Sequence, residues 1–324
     1  MTYHILIPDA VHPSVIDVLE RAKASGADIS WQSTGQLKRE ETLAAIPNAD
    51  ALIIRSATKV DAEMIDAAAK LRLIARAGVG VDNVDLPAAT ARKIVVMNTP
   101  DGNTISTAEH TFGLMLALAR HIPQAHASLA SGKWDRKSFT GVELRGKVLG
   151  VVGFGRIGRA VAKRALAFEM SVIAFDPYIP ADVAADMSVE LVSLEDLFRR
   201  SDFITLHALL TDETREMINA KSIATMKKGV RIIDAARGAL INEADLAEAI
   251  KSGHVAGAAL DVFAEEPPGP NHPLINLSGV VHTPHLAAST DDAQINVAVE
   301  AAQLIVEALT KGDYKNVVNP AART

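Results

Sequence analysis

The segment Gly153-Phe154-Gly155-Arg156-Ile157-Gly158 lies between an apolar run and an amphipathic one. No other stretch restricts the fold as much. Residues 147–152 (KVLGVV) read as a buried parallel strand and residues 156–168 as a helix. A second strand, 172–175, ends at Asp176, at about the 20-residue separation from the glycines that a dinucleotide fingerprint requires. Each glycine has a separate physical task. Gly153 makes a tight turn, Gly155 lets the backbone approach a pyrophosphate, and Gly158 lets helix and strand pack closely. The helix N-terminus then offers unpaired N–H groups and a partial positive charge to phosphate. A glycine turn alone would be an ordinary strand-to-helix connection. Its setting makes it a nucleotide site.

The rest of the chain repeats this βα rhythm. Strands are expected at 5–8, 29–32, 51–55, 73–75 and 95–98, with helical patterns at 13–24, 39–45, 62–70 and 86–92 between them. A second alternating series runs from Lys147 to His285, with strands near Leu149, Val172, Ile204, Ile232, Ala258 and Val281. Such alternation implies parallel sheets covered by helices on both faces. The expected fold is therefore α/β, two doubly wound Rossmann-like domains with an inter-domain cleft. Residues 104–120 and 289–309 read as long connecting helices, the first stopped by Pro123. They suggest a discontinuous substrate domain, 1–99 plus 286–324, and a cofactor domain, 100–285.

Composition narrows the function. A net charge of −6 argues against nucleic acid as a partner. With no cysteine, thiolate catalysis and disulfides are excluded. A metal site is not expected. No basic-then-apolar leader and no run approaching the ~20 apolar residues of a membrane span are visible, so no membrane association and a cytoplasmic location are expected.

Three polar groups follow successive strands of the second half: Arg237 after 230–233, Glu266 after 256–260, and His285 after 279–281. Loops at the carboxyl ends of parallel strands converge on one rim. A cation that grips a carboxylate, an acid that protonates an alkoxide, and a carboxylate that keeps that acid charged are what reduction of a 2-keto acid needs. Each also has a plainer reading, as a surface ion pair or a turn residue. His207, after 203–206, rivals His285 on position alone.

The segments 54–60 (IRSATKV), 76–85 (RAGVGVDNVD) and 98–103 (NTPDGN) carry a resemblance, with the Gly153 fingerprint, Ala236-Arg237-Gly238, 258–263 (AALDVF), Glu266-Pro267 and Pro284-His285. In order and spacing, over nearly the whole chain, they resemble the D-isomer-specific 2-hydroxyacid dehydrogenases. That resemblance implies NAD as cofactor and Arg237, Glu266 and His285 as the catalytic group. It implies a cofactor site of Gly153, Gly155, Arg156, Ile157, Gly158, Asp176, Ala208, Ala235, Asp261, Ala287 and Ala288. Gly78, Val79 and Gly80 would present N–H groups to the substrate carboxylate. Arg55, Ser56 and Arg76, with Arg136 from a neighbouring subunit, would supply the remaining substrate contacts.

The implied reaction is oxidation of D-3-phosphoglycerate to 3-phosphohydroxypyruvate, the first step of serine biosynthesis. The alternatives are a reductase of glyoxylate, hydroxypyruvate or another small acid, and a dinucleotide-sensing binding module. A homodimer through the cofactor domain is expected, and the C-terminal regulatory domains of longer family members are not. Three positions depart from the family pattern: Ala208-Leu209 after His207, Asp234 ahead of Arg237, and Ala287 after His285-Leu286.

Overall fold

The structure is a computed structural model that describes residues 2–323. Met1 and Thr324, the ends of the expected first domain, lie outside the described residues. The chain divides into two compact units, Met1–Asn103 with Thr290–Thr324, and Thr104–Ser289. Both boundaries fall a few residues beyond those expected, because the connecting helices begin there: one starts at Thr104 and the other is capped by Thr290.

The first unit alternates β1 (Tyr3–Ile7), α1 (Ser14–Ala24), β2 (Ile29–Ser33), α2 (Arg39–Ala45), β3 (Ala51–Ile54), α3 (Ala62–Ala67), β4 (Leu73–Arg76), α4 (Leu86–Ala91) and β5 (Val95–Asn98). Its sheet is parallel throughout, in the order β2-β1-β3-β4-β5. All four residues of β3 are buried, as a parallel strand covered on both faces demands. Helix α1 buries Val15, Val18 and Leu19, a stripe at helical spacing. The strand order reverses between β1 and β3, so the loops after these strands part at a topological switch point. Such points are where open sheets of this kind bind ligands.

The second unit comprises α5 (Thr104–Arg120), α6 (Ile122–Ala130), β6 (Val148–Val152), α7 (Arg156–Ala167), β7 (Ser171–Phe175), α8 (Ala181–Ala185), β8 (Glu190–Leu191), α9 (Leu194–Arg200), β9 (Phe203–Leu206), α10 (Ala220–Ile223), β10 (Val230–Asp234), α11 (Glu243–Lys251), β11 (Val255–Leu260) and β12 (Val280–His282). Its seven-stranded parallel sheet runs β12-β11-β10-β9-β6-β7-β8. The switch point lies between β6 and β9, and the glycine fingerprint follows β6. Pro123 does more than stop α5. His121 turns the chain with φ +53°, and Pro123 sits in the first turn of α6, where a missing N–H costs nothing. Two-residue β8 is too short to show a period in sequence.

Helix α12 (Asp291–Lys311) returns the chain to the first unit. Thr290 caps it through Oγ1, which accepts the Ala293 N–H at 3.1 Å, and Gly312 ends it at φ +67°. Ala298, Ala301, Ala302 and Ala308 face inward, and these small side chains let the helix lie close to the sheet. The tail that follows covers the β5 edge by an antiparallel bridge between Val317 and Met97. Asn319, 5% exposed, locks it there. Its Oδ1 accepts the Val96 N–H at 2.8 Å, and its Nδ2 donates to Ile94 O at 2.9 Å. Asn319→Ala leaves both backbone groups buried without partners, so unfolding in denaturant should show a loss of ~2–4 kcal/mol. A loss below ~0.5 kcal/mol would show that the tail does not depend on this residue.

Candidate active site

The fingerprint takes the form its three glycines require. Gly153 has φ +87°, and a Cβ there would lie 2.6 Å from the His207 carbonyl carbon, so the loops after β6 and β9 touch at the switch point. A Cβ at Gly158 would lie 2.2 Å from Gly153 O, a contact only glycine permits. At Gly155 a Cβ would meet nothing within 4 Å. That open space, at the N-terminus of α7, is where a pyrophosphate needs to approach. Arg156 and Ile157 occupy the first turn of the helix. Asp176, just beyond β7, accepts the Phe154 N–H on Oδ2 at 2.8 Å and the Tyr178 N–H on Oδ1 at 2.9 Å. Its carboxylate is thus fixed beside the glycine turn and keeps lone pairs for ribose hydroxyls. These residues fit a dinucleotide.

Strands β10, β11 and β12 are neighbours, and Arg237, Glu266 and His285 all lie beyond their carboxyl ends. His285 Nδ1 is 2.7 Å from Glu266 Oε2, and the other oxygen, Oε1, accepts the Phe263 N–H at 3.1 Å. The Glu266 bond raises the imidazole pKa above its ordinary value. Burial and the positive charge of Arg237 oppose that rise, without cancelling it. Burial pushes Glu266 upward, but the hydrogen bonds from His285 and Phe263, with the positive charges of His285 and Arg237, hold it below the usual carboxylate range. Both shifts describe one charge-assisted pair. With Nδ1 engaged, Nε2 is the nitrogen available to a substrate oxygen.

The loop that carries His285 is fastened from below. Asp261, 0% exposed, accepts the N–H groups of Leu286 and Ala287 at 2.8 Å each, the Thr283 hydroxyl at 2.5 Å, and approaches His110 Nε2 at 3.2 Å. Its backbone carbonyl accepts the His285 N–H at 2.8 Å. His285 itself has φ +54°, in the left-handed region that non-glycine residues enter only when held there. Asp261, expected to line the cofactor, makes the contacts of a loop anchor. Ala287 is buried against it, and Ala288 is half-buried next in the chain.

Asp234 has the opposite environment. Fully buried at the end of β10, it accepts the Ala236 N–H on Oδ1 at 2.8 Å, while Oδ2 has no hydrogen-bond partner among the described residues. Burial pushes its carboxyl up to about 7, against the lowering effect of the Ala236 and Arg237 N–H groups. Ala235 is buried beside it, and Ala208 borders Gly153. His207, the rival base, donates to or accepts from Thr205 Oγ1 at 2.9 Å, and burial lowers it to about 3. It is therefore neutral at physiological pH and a poor acid for an alkoxide.

In the first unit, Arg55 follows β3 at the switch point. Asp9, which follows β1 and is 1% exposed, accepts the Arg55 N–H at 2.5 Å and the Thr58 N–H at 3.3 Å, and also binds the Thr58 hydroxyl. Asn83 Nδ2 donates to Arg55 O and Thr58 O, each at 2.7 Å. The Arg55-Ser56-Ala57-Thr58 loop is thereby held from two sides, with Ser56 exposed. Gly78, expected among the carboxylate donors, has an internal partner. Its N–H is buried and bonded to Thr99 Oγ1 at 2.7 Å. A Cβ at Gly78 would also lie 2.0 Å from Arg76 Nη1, which shows that the guanidinium folds over this turn. Arg136 lies exposed in the loop after α6. Asp9, His110 and Thr283 escaped the sequence reading, since isolated polar residues far apart in sequence show no motif; Asn83 and Thr99 lie in the motif segments 76–85 and 98–103, which do not reveal the bonds they make.

Residues 112–287 match the D-isomer specific 2-hydroxyacid dehydrogenase, NAD binding domain. The chain is 51% identical to a D-3-phosphoglycerate dehydrogenase of Methanocaldococcus jannaschii over 97% of its own length and 59% of the relative's. It thus spans about three-fifths of the curated relatives it matches. Among solved structures, a glyoxylate reductase from Paecilomyes thermophila superposes with TM-score 0.87 at 29% identity, covering 98% of each chain. A D-lactate dehydrogenase from Aquifex aeolicus, complexed with NAD and lactic acid, superposes with TM-score 0.83 at 27% identity, covering 98% of this chain and 99% of that one. The protein belongs to the D-isomer-specific 2-hydroxyacid dehydrogenase family. Its second unit carries the family's NAD-binding domain, and its cofactor is NAD.

Because Glu266 raises the imidazole pKa, Glu266→Gln should move the His285 ring titration, followed by NMR, to lower pH. An unmoved titration would show that the 2.7 Å contact carries no electrostatic weight in solution.

Proposed function

We propose that the protein catalyses NAD-dependent oxidation of D-3-phosphoglycerate to 3-phosphohydroxypyruvate and the reverse reduction, in the cytoplasm, as the first step of serine biosynthesis. The observation that carries the reading is the His285–Glu266 pair at 2.7 Å, with the Arg237 charge acting on both groups. The M. jannaschii relative supports the choice of acid, since it is named for that activity and aligns over 97% of this chain.

NAD, held by the Gly153 fingerprint and Asp176, would supply the hydride acceptor for oxidation and, reduced, the donor for the reverse. The chain supplies the rest. During reduction, Nε2–H of the His285 imidazolium donates its proton to the carbonyl oxygen as that oxygen gains charge. During oxidation, neutral Nε2 accepts the hydroxyl proton. Glu266 stabilises the imidazolium, and Arg237 pairs with the carboxylate and polarises the carbonyl. Arg55 and Arg76 pair with the phosphate, where a guanidinium fork matches phosphate oxygens. Val79 and Gly80 donate to the carboxylate. A homodimer through the NAD-binding domain accompanies this reading. It is supported by exposed Ile122, Leu129 and Trp134 and by a groove of about 540 Å³ lined by Leu116, Arg120, Ile122, Ala125, His126 and Leu129.

His285→Ala should lower kcat by ~10²–10⁴, the range for a lost general acid–base, with the fold retained by circular dichroism. Near-wild-type turnover in that variant would remove His285 from the chemistry.

The substrate is tested separately. The wild-type enzyme should reduce 3-phosphohydroxypyruvate with a higher kcat/KM than hydroxypyruvate. Arg55→Ala should erase most of that difference, because each charged hydrogen bond to phosphate is worth ~1.5–3 kcal/mol. A preference for hydroxypyruvate or glyoxylate would make the protein a small-acid reductase. Absence of turnover with every acid would leave a dinucleotide-sensing module.

A further inference from the structure

The peptide next to Glu266 is bonded to a second histidine–carboxylate pair. His272 Nε2 is 2.8 Å from Glu243 Oε2, with side chains only 8% and 17% exposed. The Leu274 N–H donates to His272 Nδ1 at 3.3 Å, which puts the ring proton on Nε2, where it donates to the carboxylate. Glu243 is the first residue of α11, and a helix N-terminus favours negative charge.

What this pair holds is the segment that carries Glu266. The second Glu243 oxygen, Oε1, accepts the Ala264 N–H at 2.9 Å. The preceding N–H, of Phe263, donates to Glu266 itself at 3.1 Å. Two consecutive backbone donors thus meet two carboxylates, one from α11 and one from the dyad. The His272 ring meets the Phe263 ring edge-on, with centroids 5.2 Å apart and planes at 86°. On the other side, a Cβ at Gly238 would lie 2.0 Å from the Phe263 carbonyl carbon, so the turn after Arg237 presses on the same peptide. Ala264, Glu265, Glu266 and Pro267 are all exposed. An exposed loop with so few fastenings depends heavily on each one.

We propose that Glu243 and His272 are positioning residues of the dehydrogenase reaction. They clamp the Phe263-Ala264 peptide so that Glu266 stays in register with His285 Nδ1. The proposal rests on the His285–Glu266 chemistry proposed above. Both act through Glu266, by way of the Phe263-Ala264 peptide. The charged groups that bear on His285 are Glu266, Asp261 and Arg237. Releasing the clamp withdraws the first of them.

The test is a double-mutant cycle read by pH profile. Glu243→Gln keeps the side-chain volume but loses one acceptor of the clamp. In that variant kcat for oxidation should fall ~10-fold or more, the scale of effect expected when a reacting group is misplaced by about an ångström. The KM values for NAD and for the acid should change less than about twofold. The pH midpoint of the oxidation limb should move down, toward that of Glu266→Gln. The double variant Glu243→Gln/Glu266→Gln should be no slower than Glu266→Gln alone, because the two act through one contact. His272→Gln, which spares the Glu243–Ala264 bond, should shift the midpoint the same way by a smaller amount, and serves if the first variant does not fold. Multiplicative losses in the cycle, or a lower melting temperature with an unmoved pH midpoint, would overturn the proposal and leave a structural pair. If Glu266→Gln alone moves neither kcat nor the midpoint, the catalytic reading fails, and this one with it.

Discussion

The chemistry of the second unit depends on a carboxylate that no solvent reaches. Burying an ionised acid costs several kcal/mol unless hydrogen bonds replace its water. Asp261 has those bonds, from Leu286 N–H, Ala287 N–H, the Thr283 hydroxyl and His110. Burial alone would raise its pKa, yet the donors bring it below 3.8. Its contribution to stability is therefore present above that value and lost as pH falls through the lowered one. The same bonds force the chain after β12 into the turn that puts His285 in a left-handed conformation.

Asp234 shows what happens to the same residue type one strand away. The two acids are linked through backbone, since Asp234 O accepts the Asp261 N–H at 2.8 Å. Asp261 has donors on both oxygens; Asp234 has one oxygen bonded and one bare. Their pKa values separate accordingly, one lowered and the other raised to about 7. Sequence position does not decide this. The number of N–H and O–H groups aimed at each carboxylate does. An asparagine at 234 could keep the bond to Ala236 N–H without an ionisable group, but its amide NH2 would be buried where Oδ2 now has no partner.

Much of this was legible in the sequence, and the boundary is physical. The fingerprint could be read because backbone approach demands glycine at fixed intervals, and Gly153 and Gly158 stand where any Cβ would clash. Arg237, Glu266 and His285 could be placed because parallel topology sends the ends of neighbouring strands to one rim. Their fastenings could not. His110 reaches Asp261 across 151 positions of sequence, and Glu243 reaches Ala264 across 21. Neither link leaves a periodic trace. Gly78 shows a different limit: a glycine says that the backbone comes close to something, not what takes its N–H, and here Thr99 does. Pro123 was read as an end because proline both stops one helix and opens the next, and only the left-handed His121 between them separates the two cases.

The two units, built on different strand orders, solve one problem in the same way. A strand-end loop must hold a polar group at an open sheet edge although its own backbone has no partners in the sheet. In the second unit Asp261, beyond β11, ties down the loop after β12. In the first, Asp9, beyond β1, ties down the loop after β3 by accepting from Arg55 N–H and Thr58 N–H. Each anchor is an acid almost without exposure, 0% and 1%. Each accepts backbone N–H groups on an adjacent loop and leaves the side chain beside them, His285 or Arg55, outside the tie. A carboxylate suits this task better than an amide, because it only accepts, it can take several bonds at once, and charge-assisted bonds are stronger than neutral ones. The cost of burying charge is thus spent where precision of a loop matters, at the edges where parallel sheets hold their ligands.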